Sequence, residues 1–399
     1  MKKKDIAIAI PCYNRVATLA LLLQSLCKAK YDRDVELIFS IDYSGSDTVY
    51  NYVSNFEWKF GKKTIIKHHN NIGLRKNIIS CGDLTSKHDA VIVLEDDLYV
   101  SPMFYEYASN ACEYYWNEDR VAGISLYAYK ESESHHQFYP ITNGYDSYFM
   151  QWTSSWGQLW TRPQWESFKK WYDDYTGDLS NEPIPAFVKL WRESWKKYHI
   201  TYLTKTDKYF VYPIVSYTTI IPSCGTHIKN IKYESPFSMP LCTGRVSDYC
   251  FPMIDDVLKY DSYFEPKELT LDLDGNTIIA DLDFYGDKSE NSFKHNYYIT
   301  SKKIEGVDYL CSWGGQLIPF EANVIQSLDG EMFFLYKKKN FVHQRFSPEE
   351  KLKLRMKLSN KEQLLYMFYH LDETLYTDLR KKVKRAWINS PIYKYFCIK

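Results

Sequence analysis

The chain has no C-x-x-C pair, and its nine cysteines are an odd number. That argues against a disulfide frame or structural zinc, and for a reduced compartment. It also has no excess of charge, since 50 Lys and Arg balance 50 Asp and Glu. No global field then favours nucleic acid, and none is expected as a partner. No stretch reaches the ~18 uninterrupted apolar residues of a membrane span. Met1-Lys-Lys-Lys followed by an apolar run at 6–10 imitates a signal peptide. Asp5, Pro11, Asn14 and Arg15 interrupt it and no small-residue cleavage site follows, so it reads as a first buried strand. Glycine is scarce after that strand. The loop is Cys12-Tyr-Asn-Arg15, without the Gly-rich phosphate cradle that a nucleotidyltransferase would place there.

What is present is room for two or three domains in 399 residues, with 45% hydrophobic content. Aromatics are abundant, at 36 Tyr and 11 Trp. Trp152, Trp156, Trp160, Trp165 and Trp171 crowd one stretch, and Trp191 and Trp195 follow. Such rings suit the C–H faces of sugars, though for any one Trp core filling is the plainer reading. Charge is unevenly spread: from Lys337 onward sixteen Lys/Arg face six Asp/Glu.

Strands alternate with helices in the first third. Strands are expected at 6–10, 36–41, 64–67 and 90–94, and helices at 17–29, 47–60, from 74 and at 103–116. This order implies an α/β fold with a doubly wound, mostly parallel sheet and ligands at the strand C-termini. Residues 121–245 are less regular, with helices expected at 165–172 and 186–198 and a β-rich run at 211–221. From about 246 two hairpins are expected, on Asp274-Gly275 and on Asp329-Gly330. The expected division is 1–245, a β-rich accessory domain at 246–345, and a basic helical tail at 346–399. Bases and aromatics mix at 380–396, which fits either a helix on an anionic membrane or a solvated terminal helix.

The chemistry concentrates at Glu95-Asp96-Asp97, after the apolar 90–94. Three carboxylates on one strand tip repel each other unless a cation or donor-rich ligand sits there. Mg2+ or Mn2+ bridging a carboxylate to substrate phosphates meets that need; an acidic loop with Asp96 or Asp97 capping a helix is the alternative. Three further loops fall on the same edge: Pro11-Cys-Tyr-Asn-Arg15, Ser40-Ile-Asp42 through Asp47, and Asn71-Ile-Gly73-Leu-Arg75-Lys76-Asn77.

Taken in order, these four loops resemble the nucleotide-sugar-binding domain of GT-A glycosyltransferases. The inverting family-2 enzymes of bacterial polysaccharide synthesis and the N-acetylglucosaminyltransferase I family are the nearest in pattern. The resemblance covers about 6–229. It implies that Asp97 coordinates Mn2+ or Mg2+ at the donor diphosphate. Glu95 and Asp96 would contact ribose, sugar or metal-bound water. Asp42 would hold the base or ribose, with Pro11, Tyr13 and Arg15 around the base. Gly73 belongs to the donor loop, and Arg75 or Lys76 would face phosphate or stand at a solvated helix start. Trp156 and Gly157 would lie under the donor sugar, and His227 is a second metal ligand, a phosphate donor or structural. An inverting transfer needs a general base. Glu193, in Trp191-Arg-Glu-Ser-Trp195, matches best, with Asp173 and Asp174 as fallbacks and a surface pair with Lys196 or Lys197 as the plain reading.

The resemblance thus implies a metal-dependent inverting transferase with a UDP-linked sugar donor. The acceptor would be a lipid-linked capsule, O-antigen or other surface glycan, met at the cytoplasmic membrane face. A catalytically inactive glycan-binding protein on the same scaffold is the competing class.

Overall fold

The computed structural model describes residues 3–133, 137–221, 237–244 and 248–341, with 346, 347 and 350 besides. Residues 1–345 form one compact unit. The second unit, 346–399, carries the expected basic tail and lies almost wholly outside the described residues. So does His227.

The order begins β1 (Ile6–Cys12), α1 (Val16–Lys28), β2 (Leu37–Ile41), α2 (Thr48–Asn55), β3 (Lys63–Lys67), α3 (Leu74–Gly82) and β4 (Ala90–Val93). It continues β5 (Leu98–Val100), α4 (Phe104–Tyr114), β6 (Val121–Ser125), β7 (Ser147–Met150), β8 (Gln158–Thr161) and α5 (Arg162–Asp174). Then come α6 (Ala186–Lys189), α7 (Lys196–Thr206), β9 (Tyr209–Pro213), β10 (Thr218–Ile220) and β11 (Lys259–Tyr260). A nine-stranded sheet runs β11-β7-β9-β6-β8-β4-β1-β2-β3. β4, β1, β2 and β3 are mutually parallel, and β8 enters antiparallel between β4 and β6.

Alternation along β1 explains why both sheet faces are buried. Ile6, Ile8 and Ile10 face one core with Leu37, Phe39 and Ile92, while Ala7 and Ala9 face the other with Ile38, Val91 and Val93. The small alanines leave room for large rings on that side, among them Trp160, Trp165 and Trp195. Strands buried on both faces read as continuous apolar runs, which is how they were visible in the sequence.

Three expectations are corrected. No single helix spans 186–198: α6 ends at Lys189 and α7 begins at Lys196. The buried Lys197 ammonium donates to the Trp191 and Arg192 carbonyls at 2.6 and 2.9 Å, satisfying acceptors that the break exposes. Residues 325–328 are not a strand. Phe320 and Val324 are buried four apart, a helical period, on α8 (Phe320–Ile325). Residues 248–260 do not open a separate sheet: Phe251, Ile254 and Val257 join the large core, and β11 pairs with β7.

A five-stranded sheet follows, built from β12 (Glu268–Leu273), β13 (Asn276–Asp283), β14 (Tyr297–Thr300), β15 (Cys311–Trp313) and β16 (Phe333–Lys337), ordered β12-β13-β14-β16-β15. The Asp274-Gly275 hairpin forms, both turn residues having positive φ (53° and 80°). Its neighbour does not, because β16 pairs with β14 and β15 instead. Glu321 on α8 accepts from the Tyr260 hydroxyl at 3.0 Å and so ties this region to the large sheet. Beneath it the buried Lys288 ammonium meets Asp261 at 2.5 Å and Glu265 at 2.7 Å.

Candidate functional site

The C-terminal ends of β1, β2, β3 and β4 lie side by side, so the four loops of interest share one edge. At the tip of β4, Asp96 is buried, and Glu95 and Asp97 are partly so. Neither aspartate caps a helix; β5 follows at once and α4 begins only at Phe104. Arg15, just beyond β1, spans the two aspartates. One guanidinium nitrogen is 2.5 Å from Asp97 Oδ2, and the other pairs with Asp96 Oδ1. Burial, followed by the charge of Asp97, pushes the Glu95 carboxyl well above its usual range. Burial also raises Asp96, to about 6, against the opposing pull of Arg15. Both shifts favour the protonated forms, which eases the mutual repulsion of carboxylates gathered around a single guanidinium.

The donor set suits a hard divalent cation. Such ions accept one or two carboxylates and take their remaining oxygens from phosphates and water. Asp97 keeps 25% of its side chain exposed. No group of three or more His, Cys, Asp or Glu is poised to hold a metal among the described residues.

Asp42 lies at the end of β2 and is 5% exposed. Its Oδ1 accepts from the Tyr43 and Ile72 N–H groups at 2.9 and 2.8 Å, and its Oδ2 from Gly73 N–H at 2.9 Å. The carboxylate thereby fixes the loop after β3 to the tip of β2. Gly73 sits at φ +80° as the residue before α3, with open space around its Cα. Only the backbone angle calls for glycine there. Ser40, His68 and Asn77 bind one another beneath this loop, with Ser40 Oγ 2.6 Å from Asn77 Oδ1 and 3.0 Å from His68 Nε2. His68 belongs to that support.

Arg75 leaves the first turn of α3 and binds Glu193 Oε2 at 2.8 Å and the Tyr198 hydroxyl at 3.2 Å. Glu193 is in the bend between α6 and α7, not on a helix, and its side chain is 82% exposed. Asp173 is held by Lys169 on the exposed face of α5, and Asp174 ends that helix. Lys76 and Tyr13 are exposed and Pro11 is buried.

The tryptophans divide. Trp152, Trp160 and Trp195 are fully buried and Trp165 nearly so, which makes them core. Trp156, Trp171 and Trp191 keep exposed edges. Trp156 packs on Tyr127 with ring centroids 4.7 Å apart. Gly157, at φ +97°, lies so close to Thr218 that a Cβ would meet its methyl at 2.8 Å. Thr218 Oγ1 donates to the Trp156 carbonyl at 2.5 Å, and Ile221 N–H donates to the Asp97 carbonyl at 2.7 Å. β10 therefore locks the Trp156-Gly157 segment and the acidic tip together.

Sequence reasoning missed Lys196 and Glu133. Lys196 was expected at the surface, yet it is 7% exposed. Its ammonium is 2.6 Å from Glu133 Oε1 and lies 5.2 Å from the ring centroids of both Trp152 and Trp191. Tyr129 hydroxyl donates to the same Glu133 oxygen at 2.9 Å. The Lys196 charge is a minor opposing pull on the Glu95 carboxyl, which burial raises. A lysine followed by a second lysine at a helix start gives no signal of burial; the surrounding tryptophans were the available hint.

Residues 7–156 match the family model described as glycosyl transferase family 2. A search of curated proteins gives no match. The chain is similar to S. aureus TarS 1–349, at 14% identity over 54% of this chain and 60% of that one, with a TM-score of 0.37. It is also similar to the mannosyltransferase PcManGT from Pyrobaculum calidifontis in complex with GDP-Man and Mn2+, at 12% identity, 57% and 59% coverage and a TM-score of 0.36. A third is GalNAc-T7 with UDP, GalNAc and Mn2+, at 11% identity, 55% and 44% coverage and a TM-score of 0.40. The chain thus spans between 44% and 60% of the length of these three structures.

Proposed function

We propose, on the premise that residues 7–156 form a glycosyl transferase family 2 domain of GT-A architecture, that this chain moves a sugar from a nucleotide-diphosphate donor to a glycan hydroxyl with inversion. The observation that carries the reading is the acidic tip of β4, bridged by Arg15 on the edge where β1, β2 and β3 also end.

In this reading the Asp42-anchored loop and Tyr13 border the nucleoside, which is uridine. Trp156 and Gly157 floor the sugar subsite. Asp97 holds the divalent cation, Mn2+ or Mg2+. When bound, that ion neutralises charge on the departing diphosphate. Glu193 takes the acceptor proton; Arg75 orients it by a charge-assisted bond. Lys196 balances Glu133, so that this buried carboxylate is not left uncompensated beside the site.

The acceptor is a surface glycan, and the membrane-facing role belongs to the basic tail at 346–399. No helix among the described residues is long and apolar enough to cross a membrane. Nucleotide sugars screened by thermal shift with and without Mn2+ test the donor assignment. A metal-dependent rise in melting temperature with a UDP-sugar is expected, because a ligand of the native state stabilises it by mass action. No response to any nucleotide sugar would contradict it.

A further inference from the structure

We propose that Arg15 is the resident cation of the acidic tip, and that it holds Asp97 against a divalent metal until a diphosphate draws the guanidinium away. This rests on the metal-and-diphosphate reading of the site given above.

The geometry is that of a bridge. The two terminal guanidinium nitrogens go to two different carboxylates, Asp96 and Asp97, the latter 82 residues along the chain. A guanidinium spanning two carboxylates places its charge where a divalent ion would serve the same pair. Arg15 is positioned to let go. It precedes α1, makes no side-chain cap bond to that helix, and keeps 28% of its side chain exposed. Its backbone is held independently, the Arg15 carbonyl accepting from Leu19 N–H at 3.2 Å. The side chain can therefore swing while the helix start stays in place.

The two aspartates differ in what they retain. Asp96 is buried and also takes the Tyr13 backbone N–H. Asp97 is a quarter exposed and turns to solvent. A metal arriving at Asp97 alone meets the positive charge of Arg15 a few ångströms away, and like charges at that range oppose binding. A diphosphate reverses the balance, since its oxygens match the guanidinium fork. Arg15 would then couple metal affinity to the presence of the phosphorylated donor.

The test is Mn2+ binding to the full chain without any nucleotide, followed by electron paramagnetic resonance of free Mn2+. Arg15→Gln is expected to bind Mn2+ about tenfold more tightly than wild type or better, as a charge-assisted bond is worth at least that factor. Its melting temperature should also rise more on adding Mn2+ than that of wild type. Unchanged or weaker Mn2+ binding in Arg15→Gln overturns the proposal. Arg15→Lys supplies a second reading should the glutamine variant fold poorly. An ammonium does not span two carboxylates as a fork, so Mn2+ binding should fall between the other two; binding no tighter than wild type also overturns it. Asp97→Asn separates the two claims. Lost Mn2+ binding there, with no gain in Arg15→Gln, leaves the metal site standing and removes the gate. Retained Mn2+ binding in Asp97→Asn removes the metal site itself.

Discussion

Arg75 and Glu193 meet at 2.8 Å across 118 residues of sequence. One comes from the first turn of α3, on the edge of the expected donor site, and the other from the break between α6 and α7. A carboxylate 82% exposed would otherwise have no fixed position. Arg75 also lies over the Tyr198 ring, 5.4 Å from its centroid, so the pair has an aromatic support.

Glu193→Gln should therefore abolish transfer while leaving donor affinity near wild type, because the amide keeps the shape and loses the proton acceptor. Arg75→Ala should lower turnover by about tenfold through loss of orientation, less than loss of the carboxylate itself. Single-turnover transfer and donor titration measure both. Near-wild-type turnover in Glu193→Gln would remove it as the base.

Asp42→Asn should destabilise the chain and weaken donor binding together. Three backbone N–H groups converge on that carboxylate, and an amide offers only one acceptor oxygen. A buried N–H left without a partner costs about 1–3 kcal/mol. Thermal melts and donor titration read the two effects; a melt equal to wild type would show that the loop is held elsewhere.

Lys196→Met should be among the most damaging changes near the site. It leaves Glu133, whose side chain is 15% exposed, as an unpaired charge among rings. Breaking a buried pair from one side costs about 3–5 kcal/mol. The double variant Lys196→Met/Glu133→Leu should regain much of that loss. Denaturant unfolding of the three proteins gives the answer, and equal stability of the single and double variants would count against the pair.

Stability should fall as pH rises from about 5 toward 7, in part through Glu321. Burial pushes its carboxyl from 4.5 up to about 7. Between those values the folded chain keeps a proton that the unfolded chain has released, so folding loses ground with rising pH and the loss is complete above the folded value. Glu321→Gln keeps an acceptor for Tyr260 without the charge. It should melt higher than wild type at pH 8 and close to wild type at pH 5. A variant less stable at both would contradict the assignment.

Much of this sheet edge was legible because β1, β2 and β4 are buried on both faces and so read as unbroken apolar runs. Their ends mark the loops directly, and Asp42, Gly73 and the acidic triplet all fall where the sequence put them. What was not legible depends on contacts distant in sequence. Arg15 was expected around the base, yet its partners are Asp96 and Asp97. The break at 190–195 follows from tertiary packing: Trp195 docks on Trp160 while Leu190 is left 80% exposed. Local propensity carries no trace of that. The second hairpin failed for a related reason, since Asp329-Gly330 is a genuine turn signal but the apolar residues before it keep a helical period.

The central claim is that the tip of β4 is a metal-assisted site for glycosyl transfer. Consumption of a UDP-sugar with Mn2+, compared between wild type and Asp97→Asn, tests it most directly, with chelation by EDTA as the parallel condition. The account predicts donor consumption by wild type that EDTA abolishes and that Asp97→Asn lowers by about a hundredfold or more. Wild-type consumption that withstands EDTA, or an Asp97→Asn variant as active as wild type, would contradict it.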